Sequence, residues 1–298
     1  MRKIAAIDIG SNAVRMLICY VISSGDEYVF QKNSYLRLPI RLGEDSFKNG
    51  IISNKKIILL SNAILSFKYI MKVHGIKEYK IYATSALRES INSKEVISIV
   101  KKNTDLNIEL ITGLKEAKII SKGNSLEKIE FNKTFLYVDV GGGSTEFSIL
   151  RKGKEKMSKS FKIGTVRLLN NLVDDSILME IKKWLKSNID NDDKIKLFAT
   201  GGNINKIQSM TGSKSGKPIS YLSIKDLSNT LKEFNYQDRM MKFDLNPDRA
   251  DVIIPALKIF TTTMEFVKAN KIFVPKVGLV DGMINEIFYE NNGSKLDS

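Results

Sequence analysis

The sequence predicts two α/β domains, each built on a mixed sheet, with a cleft between them. Three observations predict it. A three-strand run followed by alternating helices and strands occurs twice along the chain, the pattern of helices packed on a sheet. An acid-glycine-hydroxyl turn closes the first hairpin of each run, once at Asp8-Ile-Gly-Ser-Asn and once at Asp139-Val-Gly-Gly-Gly-Ser-Thr. A chain of 298 residues that is 43% hydrophobic can fill two ordinary cores. The boundaries predicted are 1–124 and 125–298, with the final helix able to pack back on the first domain. The polar stretch from Gly123 to Lys133 is the expected hinge.

In the first half, Ile4 to Ile7 is an apolar strand ended by Asp8. Gly10, Ser11 and Asn12 make the turn, and Val14 to Ile22 returns as a second strand. Tyr28 to Leu38 is a third strand, and Pro39 to Gly50 a loop. Ser53 can cap a long helix from Asn54 to Val73, whose Ile57, Leu60, Ile64, Phe67 and Met71 recur at helical spacing and whose end is marked by Gly75. Lys80 to Ala83 is a short strand. Asn92 can cap the helix Ser93 to Lys102, Asn107 to Ile111 is another strand, and Gly113 opens a helix carrying Glu116.

The second half restarts the same way. Phe135 to Val138, Glu146 to Leu150 and Lys156 to Phe161 are strands, then helices follow at Thr165 to Leu172 and Ser176 to Lys186, the latter with a packed Trp184. Lys196 to Ala199 is a strand leading through Thr200, Gly201, Gly202 and Asn203 into a helix ending at Met210. Ser213 to Ser220 is a loop, and Ser223 with Asp226 is a capping pattern. Asn246 and Pro247 start the longest helix of this half, to Ala269. Ile272 to Val274 is a strand and Gly282 to Tyr289 the final helix.

Composition excludes several classes. No window approaches the apolar length of a membrane helix, and the apolar run after Met1 is too short for a secretory signal. The single cysteine, Cys19, sits in an apolar strand, which leaves no intrachain disulfide and makes a reducing, cytoplasmic location the default. The only histidine, His74, ends a helix, so no histidine triad or histidine-rich metal site can be built. The net charge of +14 fits either a long anionic partner or a lysine-rich genomic composition. The lysines are spread, without a dense basic tail or interleaved aromatics, so no specific nucleic-acid reader is expected.

The two turns carry the chemistry. Gly141, Gly142 and Gly143 let a ligand approach bare backbone, and N–H groups in such a turn suit phosphate oxygens. Asp139 and Glu146 flank it. Carboxylates do not bind phosphate directly, so a divalent cation between the charges is implied, and Mg²⁺ binds in this manner through one or two carboxylates, phosphate and water. Asp8 is the matching acid of the first turn and joins the metal candidates.

Eight segments in order resemble the exopolyphosphatase / guanosine pentaphosphate phosphohydrolase family, of the actin–sugar kinase–chaperone superfamily with its ribonuclease H-like domains. They are Ala6–Ile18, Tyr82–Ser90, Ile111–Ile120, Val138–Ile149, Lys162–Leu168, Ala199–Asn203, Asp248–Ala256 and Val277–Gly282. The resemblance implies release of terminal phosphate from polyphosphate, or conversion of guanosine pentaphosphate to tetraphosphate. It implies Glu116 as the carboxylate that prepares the attacking water and Asp139 with Glu146 as the Mg²⁺ pair. Gly10, Ser11, Asn12 and Gly141, Gly142, Gly143, Ser144, Thr145 become phosphate cradles, with Arg15 and Arg88 as cationic partners of the phosphates. Gly201, Gly202 and Asn203 join the substrate channel. Lys162 and Arg167 either extend that channel or form a solvated face.

Three positions depart from the family's habit. Ala13 replaces a hydroxyl after the first turn, Lys115 replaces an acid beside Glu116, and Asn203 replaces a threonine. Members of the family tend to dimerise, but no apolar stripe here is assignable to an interface. The alternatives are a low-turnover sensor of guanosine tetraphosphate or polyphosphate, motivated by Ala13 and Lys115, a kinase using ATP as donor, and a nucleic-acid binder acting through the basic surface.

Overall fold

The computed structural model describes residues 1–24, 27–123, 134–151, 154–189, 195–214, 216–275 and 277–291. The expected hinge lies, after Gly123, outside them. The chain forms two compact units, Met1–Asn124 with Val277–Ser298, and Ser125–Lys276. Of the range assigned to the second domain, the last part therefore belongs to the first unit.

The first unit begins with β1 (Arg2–Ile9), β2 (Val14–Ser24) and β3 (Glu27–Leu38), continues through α1 (Leu42–Asn49), α2 (Asn54–Val73), β4 (Glu78–Ala83), α3 (Ser85–Arg88) and α4 (Ser93–Thr104), and reaches β5 (Glu109–Leu110) and α5 (Gly113–Gly123). Its sheet has the order β3-β2-β1-β4-β5, antiparallel among the first three strands and parallel from β1 onward. On one face Ile7, Ile9, Val14 and Met16 pack with Ile57, Leu60, Ile64 and Phe67 of α2, the helical stripe visible in the sequence. Ser53 caps α2 by accepting from the Lys56 N–H. Asn92 makes no cap bond; its amide instead clamps Ile52, accepting from the Ile52 N–H and donating to the Ile52 carbonyl, both at 2.9 Å.

The second unit contains β6 (Thr134–Val140), β7 (Thr145–Arg151), β8 (Lys154–Phe161), α6 (Thr165–Leu169), α7 (Ser176–Asn188), β9 (Ile195–Thr200), α8 (Gly202–Met210), β10 (Ile219–Ser220), α9 (Tyr221–Lys232), α10 (Tyr236–Phe243), α11 (Pro247–Ala250), α12 (Ile253–Phe266) and β11 (Lys271–Phe273). Its sheet runs β10-β11-β9-β6-β7-β8, so β8-β7-β6-β9 repeats the antiparallel-then-parallel plan of β3-β2-β1-β4. Trp184 of α7 packs edge-on against Phe161 and near Phe147. The single helix expected from Asn246 to Ala269 is two, α11 and α12. Pro255 explains the break, because its ring excludes the carbonyl four residues back and it has no N–H to donate; it is tolerated in the first turn of a new helix. Ser220, not Ser223, caps α9, accepting from the Ser223 N–H at 3.0 Å.

The chain closes with α13 (Leu279–Asn291), which lies with α5 on the other face of the first sheet, over Ile4, Ala6, Leu17, Cys19 and Tyr82. Burial there pushes the Cys19 thiol up to about 11, as befits a small core residue. The helices approach closely at Gly282, where a Cβ would lie 2.1 Å from the Ile119 carbonyl oxygen. That oxygen belongs to backbone and cannot step aside. Gly282→Ala is expected to lower stability by about 1–3 kcal/mol, the usual penalty of overpacking, as read from urea unfolding.

Candidate active site

The turn between β6 and β7 is closed by the Gly141 N–H donating to the Ser144 carbonyl at 3.0 Å. Helix α6 abuts this turn. The Thr165 N–H donates to the Gly141 carbonyl at 3.0 Å, the Val166 N–H to the Gly142 carbonyl at 2.8 Å, and Arg167 Nε to the Gly143 carbonyl at 2.7 Å. Three successive carbonyls are thus drawn toward α6. In a planar trans peptide the following N–H points the opposite way. The N–H groups of Gly142, Gly143 and Ser144 therefore face away from α6, and none donates to a backbone carbonyl among the described residues. Such a row of outward N–H groups has the form that suits an anion. Gly164 permits the close approach, since a Cβ there would meet the Gly142 carbonyl at 2.4 Å.

Two residues of this neighbourhood brace the turn through hydrogen bonds of their own. The Thr145 hydroxyl donates to the Ile163 carbonyl at 2.6 Å, bracing the turn against the start of α6. Arg167 is 9% exposed and holds the Gly143 carbonyl, so it is neither a solvated face nor an open cation. Lys162 is exposed.

The first turn uses the same device with different parts. The Gly10 N–H donates to the Ala13 carbonyl at 3.1 Å, while the Ser11 and Asn12 carbonyls accept from the Gly43 and Arg41 N–H groups at 2.8 and 3.0 Å. The N–H groups of Asn12 and Ala13 are thereby turned the other way. Arg41, at φ 58°, leads into α1, so the segment expected as a loop is a helix whose entry orients this turn. Ser11 Oγ and Ser85 Oγ lie 2.9 Å apart, tying the turn to α3.

Strand register then sets the charges. In the second sheet Thr200, Asp139, Glu146 and Ser160 are successive partners across β9, β6, β7 and β8, and so form one row on one face. Asp139 and Glu146 are like charges directly opposite, a destabilising arrangement that a cation relieves. Each offers a carboxylate oxygen within 4.8 Å of the other's. The Thr200 hydroxyl donates to Asp139 Oδ1 and the Ser160 hydroxyl to Glu146 Oε1, both at 2.8 Å. Two hard oxygen donors of this kind fit a divalent cation such as Mg²⁺.

The corresponding row of the first sheet is Tyr82, Asp8, Arg15 and Arg37. Here the acid faces a base: Arg15 Nη1 meets Asp8 Oδ2 at 2.5 Å. Asp8 is 4% exposed; burial pushes its carboxyl up and the Arg15 guanidinium opposes that. Asp8, expected among the metal ligands, is paired with a cation supplied from its own hairpin.

Glu116 lies in the first turn of α5, 9% exposed, its N–H donating to the Thr112 carbonyl at 2.9 Å. Lys115 turns to Glu109, Nζ to Oε1 at 2.6 Å, and sits 4.6 Å from the Tyr82 ring centre. Arg88 Nη1 donates to the Ile111 carbonyl at 2.6 Å, fixing the chain just ahead of α5. Gly201 has φ 102° and leaves no room for a Cβ, which would meet Asp139 Oδ1 at 2.9 Å. Arg249 donates to the Gly202 carbonyl, and Asn203 is half-buried in the first turn of α8.

Sequence reasoning gave no role to Gly164, Thr200, Ser160, Gly43 or Arg249. Only Gly164 carried a local signal, as a glycine between a strand and a helix. The others act through partners far along the chain.

Two sheets of one strand plan, each opening on a glycine turn at the end of its central hairpin, make this an α/β protein built on two mixed sheets. The sequence pattern of the Ppx/GppA phosphatase family matches residues 21–290, and the chain belongs to that family. A bifunctional 3-dehydroquinate synthase/phosphatase of Fusobacterium nucleatum is 31% identical over 307 aligned residues, covering 95% of this chain and 46% of that protein, so the chain spans under half of that relative. Exopolyphosphatase 1 of Mycobacterium leprae is 21% identical, with 95% of this chain and 88% of that protein covered. An exopolyphosphatase from Cytophaga hutchinsonii shares the fold at a TM-score of 0.85 and 22% identity, with 100% of both chains covered. The Aquifex aeolicus Ppx/GppA family member shares it at a TM-score of 0.75 and 24% identity, covering 97% of this chain and 99% of that one. No helix among the described residues is long and apolar enough to cross a membrane.

Proposed function

We propose that the chain is a Mg²⁺-dependent phosphohydrolase that releases the terminal phosphate of inorganic polyphosphate, with guanosine pentaphosphate as the alternative substrate. The observation that carries this reading is the acid pair Asp139–Glu146 at the base of the same hairpin whose turn presents the N–H groups of Gly142, Gly143 and Ser144. Membership of a phosphatase family supports it, as do the relatives described as exopolyphosphatases.

In this reading Asp139 and Glu146 hold the cation, which when bound neutralises phosphate oxygens. The turn N–H groups hold the terminal phosphoryl group, and Arg15 and Arg88 add cationic donors. Glu116 orients a water and accepts its proton as the water oxygen bonds to phosphorus. The bridging P–O bond breaks, and the shortened chain leaves with the electron pair. General-base help of this kind is worth about 10²–10⁴-fold. Phosphoryl transfer needs little else beyond positioning and charge neutralisation.

Specificity constants for long polyphosphate and for guanosine pentaphosphate test the proposal. The expected result is phosphate release without any acceptor, faster on polyphosphate. Dependence on an acceptor would indicate a kinase instead. Ala13, fully buried and without a hydroxyl, favours a second reading as a sensor. Tight calorimetric binding of guanosine tetraphosphate with no hydrolysis in Mg²⁺ would establish that one.

A further inference from the structure

We propose that Thr200 and Ser160 are specificity-determining residues for the metal: as the two ends of the row Thr200–Asp139–Glu146–Ser160, they hold each carboxylate by one oxygen and so select a small octahedral cation over Ca²⁺. The inference rests on the reading of Asp139 and Glu146 as the cation pair.

The row joins four strands, and its order is hydroxyl, acid, acid, hydroxyl. Each hydroxyl is a donor to the acid beside it, at 2.8 Å in both cases. Each hydroxyl is placed by its strand. Thr200 is 1% exposed at the end of β9, with β-branching that restricts its rotamer, and Ser160 is held on β8 by the register with Glu146. A cation that chelated either carboxylate through both oxygens would have to compete with a hydroxyl already bonded to one of them. Ca²⁺ accepts bidentate carboxylates and six to eight oxygens, whereas Mg²⁺ demands near-ideal octahedral geometry and keeps several waters. A carboxylate pinned by one oxygen suits the second cation and penalises the first. The first sheet supplies the contrast: its equivalent row carries Tyr82 and Arg37 at the ends and an internal Asp8–Arg15 ion pair, with no hydroxyl pinning of paired acids.

The test measures Mg²⁺ and Ca²⁺ affinity, by displacement of Mn²⁺ followed by electron paramagnetic resonance, in the full chain and in Thr200→Val, Thr200→Ser and Ser160→Ala. Removing a partner that orients a ligand weakens metal binding by about 10–100-fold. The expected result is a loss of that size for Mg²⁺ in Thr200→Val and Ser160→Ala, a smaller loss for Ca²⁺, and hence a Mg²⁺ to Ca²⁺ ratio that falls about tenfold. Thr200→Ser, which keeps the hydroxyl, should retain the wild-type ratio. An unchanged ratio in both hydroxyl-deleting variants overturns the proposal, and so does a Thr200→Ser ratio as low as that of Thr200→Val. Failure of the underlying reading has a different signature: Mn²⁺ binding that is absent in the wild type, or that is untouched by Glu146→Gln.

Discussion

Glu146→Gln is expected to make the metal-free protein more stable while removing most of its activity. Glu146 is 3% exposed and faces Asp139 across β6 and β7. Two opposed carboxylates on one sheet face repel, and replacing one with an isosteric amide should return about 0.2–1 kcal/mol. The amide oxygen can still accept from Ser160, so the row's geometry is kept. Adding Mg²⁺ should reverse the order of stability. A ligand at a hundred times its Kd stabilises the wild type by about 2.7 kcal/mol, and the variant, lacking one ligand, gains far less. Thermal unfolding of both proteins with chelator and with Mg²⁺ checks this. Asp139→Asn should behave alike. A variant less stable than wild type under both conditions would mean that the pair is a structural network and not a cation site.

Gly164→Ala is expected to lower kcat/KM for phosphate release by about 10²-fold in a protein that remains folded. The added methyl would sit 2.4 Å from the Gly142 carbonyl and 2.6 Å from the Gly143 nitrogen. Backbone atoms of a turn pinned at three carbonyls cannot yield locally, so α6 or the turn must move as a unit. A displacement of about 1 Å at a positioning element costs on the order of 10²-fold in rate. Gly164 does not point at the ligand face of the turn, and its effect would be transmitted through α6. Arg167→Met should act in the same direction by releasing the Gly143 carbonyl. Near-normal kcat/KM in Gly164→Ala would show that the turn's N–H groups do not position the phosphate.

The sequence made the local parts legible and hid the lateral ones. The two glycine turns and their acids were visible because each is a single continuous stretch, Asp8–Asn12 and Asp139–Thr145. The α2 stripe and the Ser53 cap were visible for the same reason. The break between α11 and α12 was readable in principle from Pro255, but the apolar run around it outweighed that signal. Glu116 was named only through the family segment Ile111–Ile120, because an acid in the first turn of a helix is ordinary by itself. The row that ends in Thr200 and Ser160 could not be read at all. Its four members come from four strands, and only register brings them side by side. The same holds for Asp8. Its sequence setting copies that of Asp139, yet the residue opposite decides its chemistry, and that residue is Arg15 in one hairpin and Glu146 in the other.

The most direct measurement is phosphate released from polyphosphate in Mg²⁺ by the wild type and by Glu116→Gln, at matched fold and matched metal affinity. The account predicts steady release by the wild type and a loss of about 10²–10⁴-fold in the variant, with Mn²⁺ binding at Asp139 and Glu146 largely kept. Equal rates for the two proteins would contradict it.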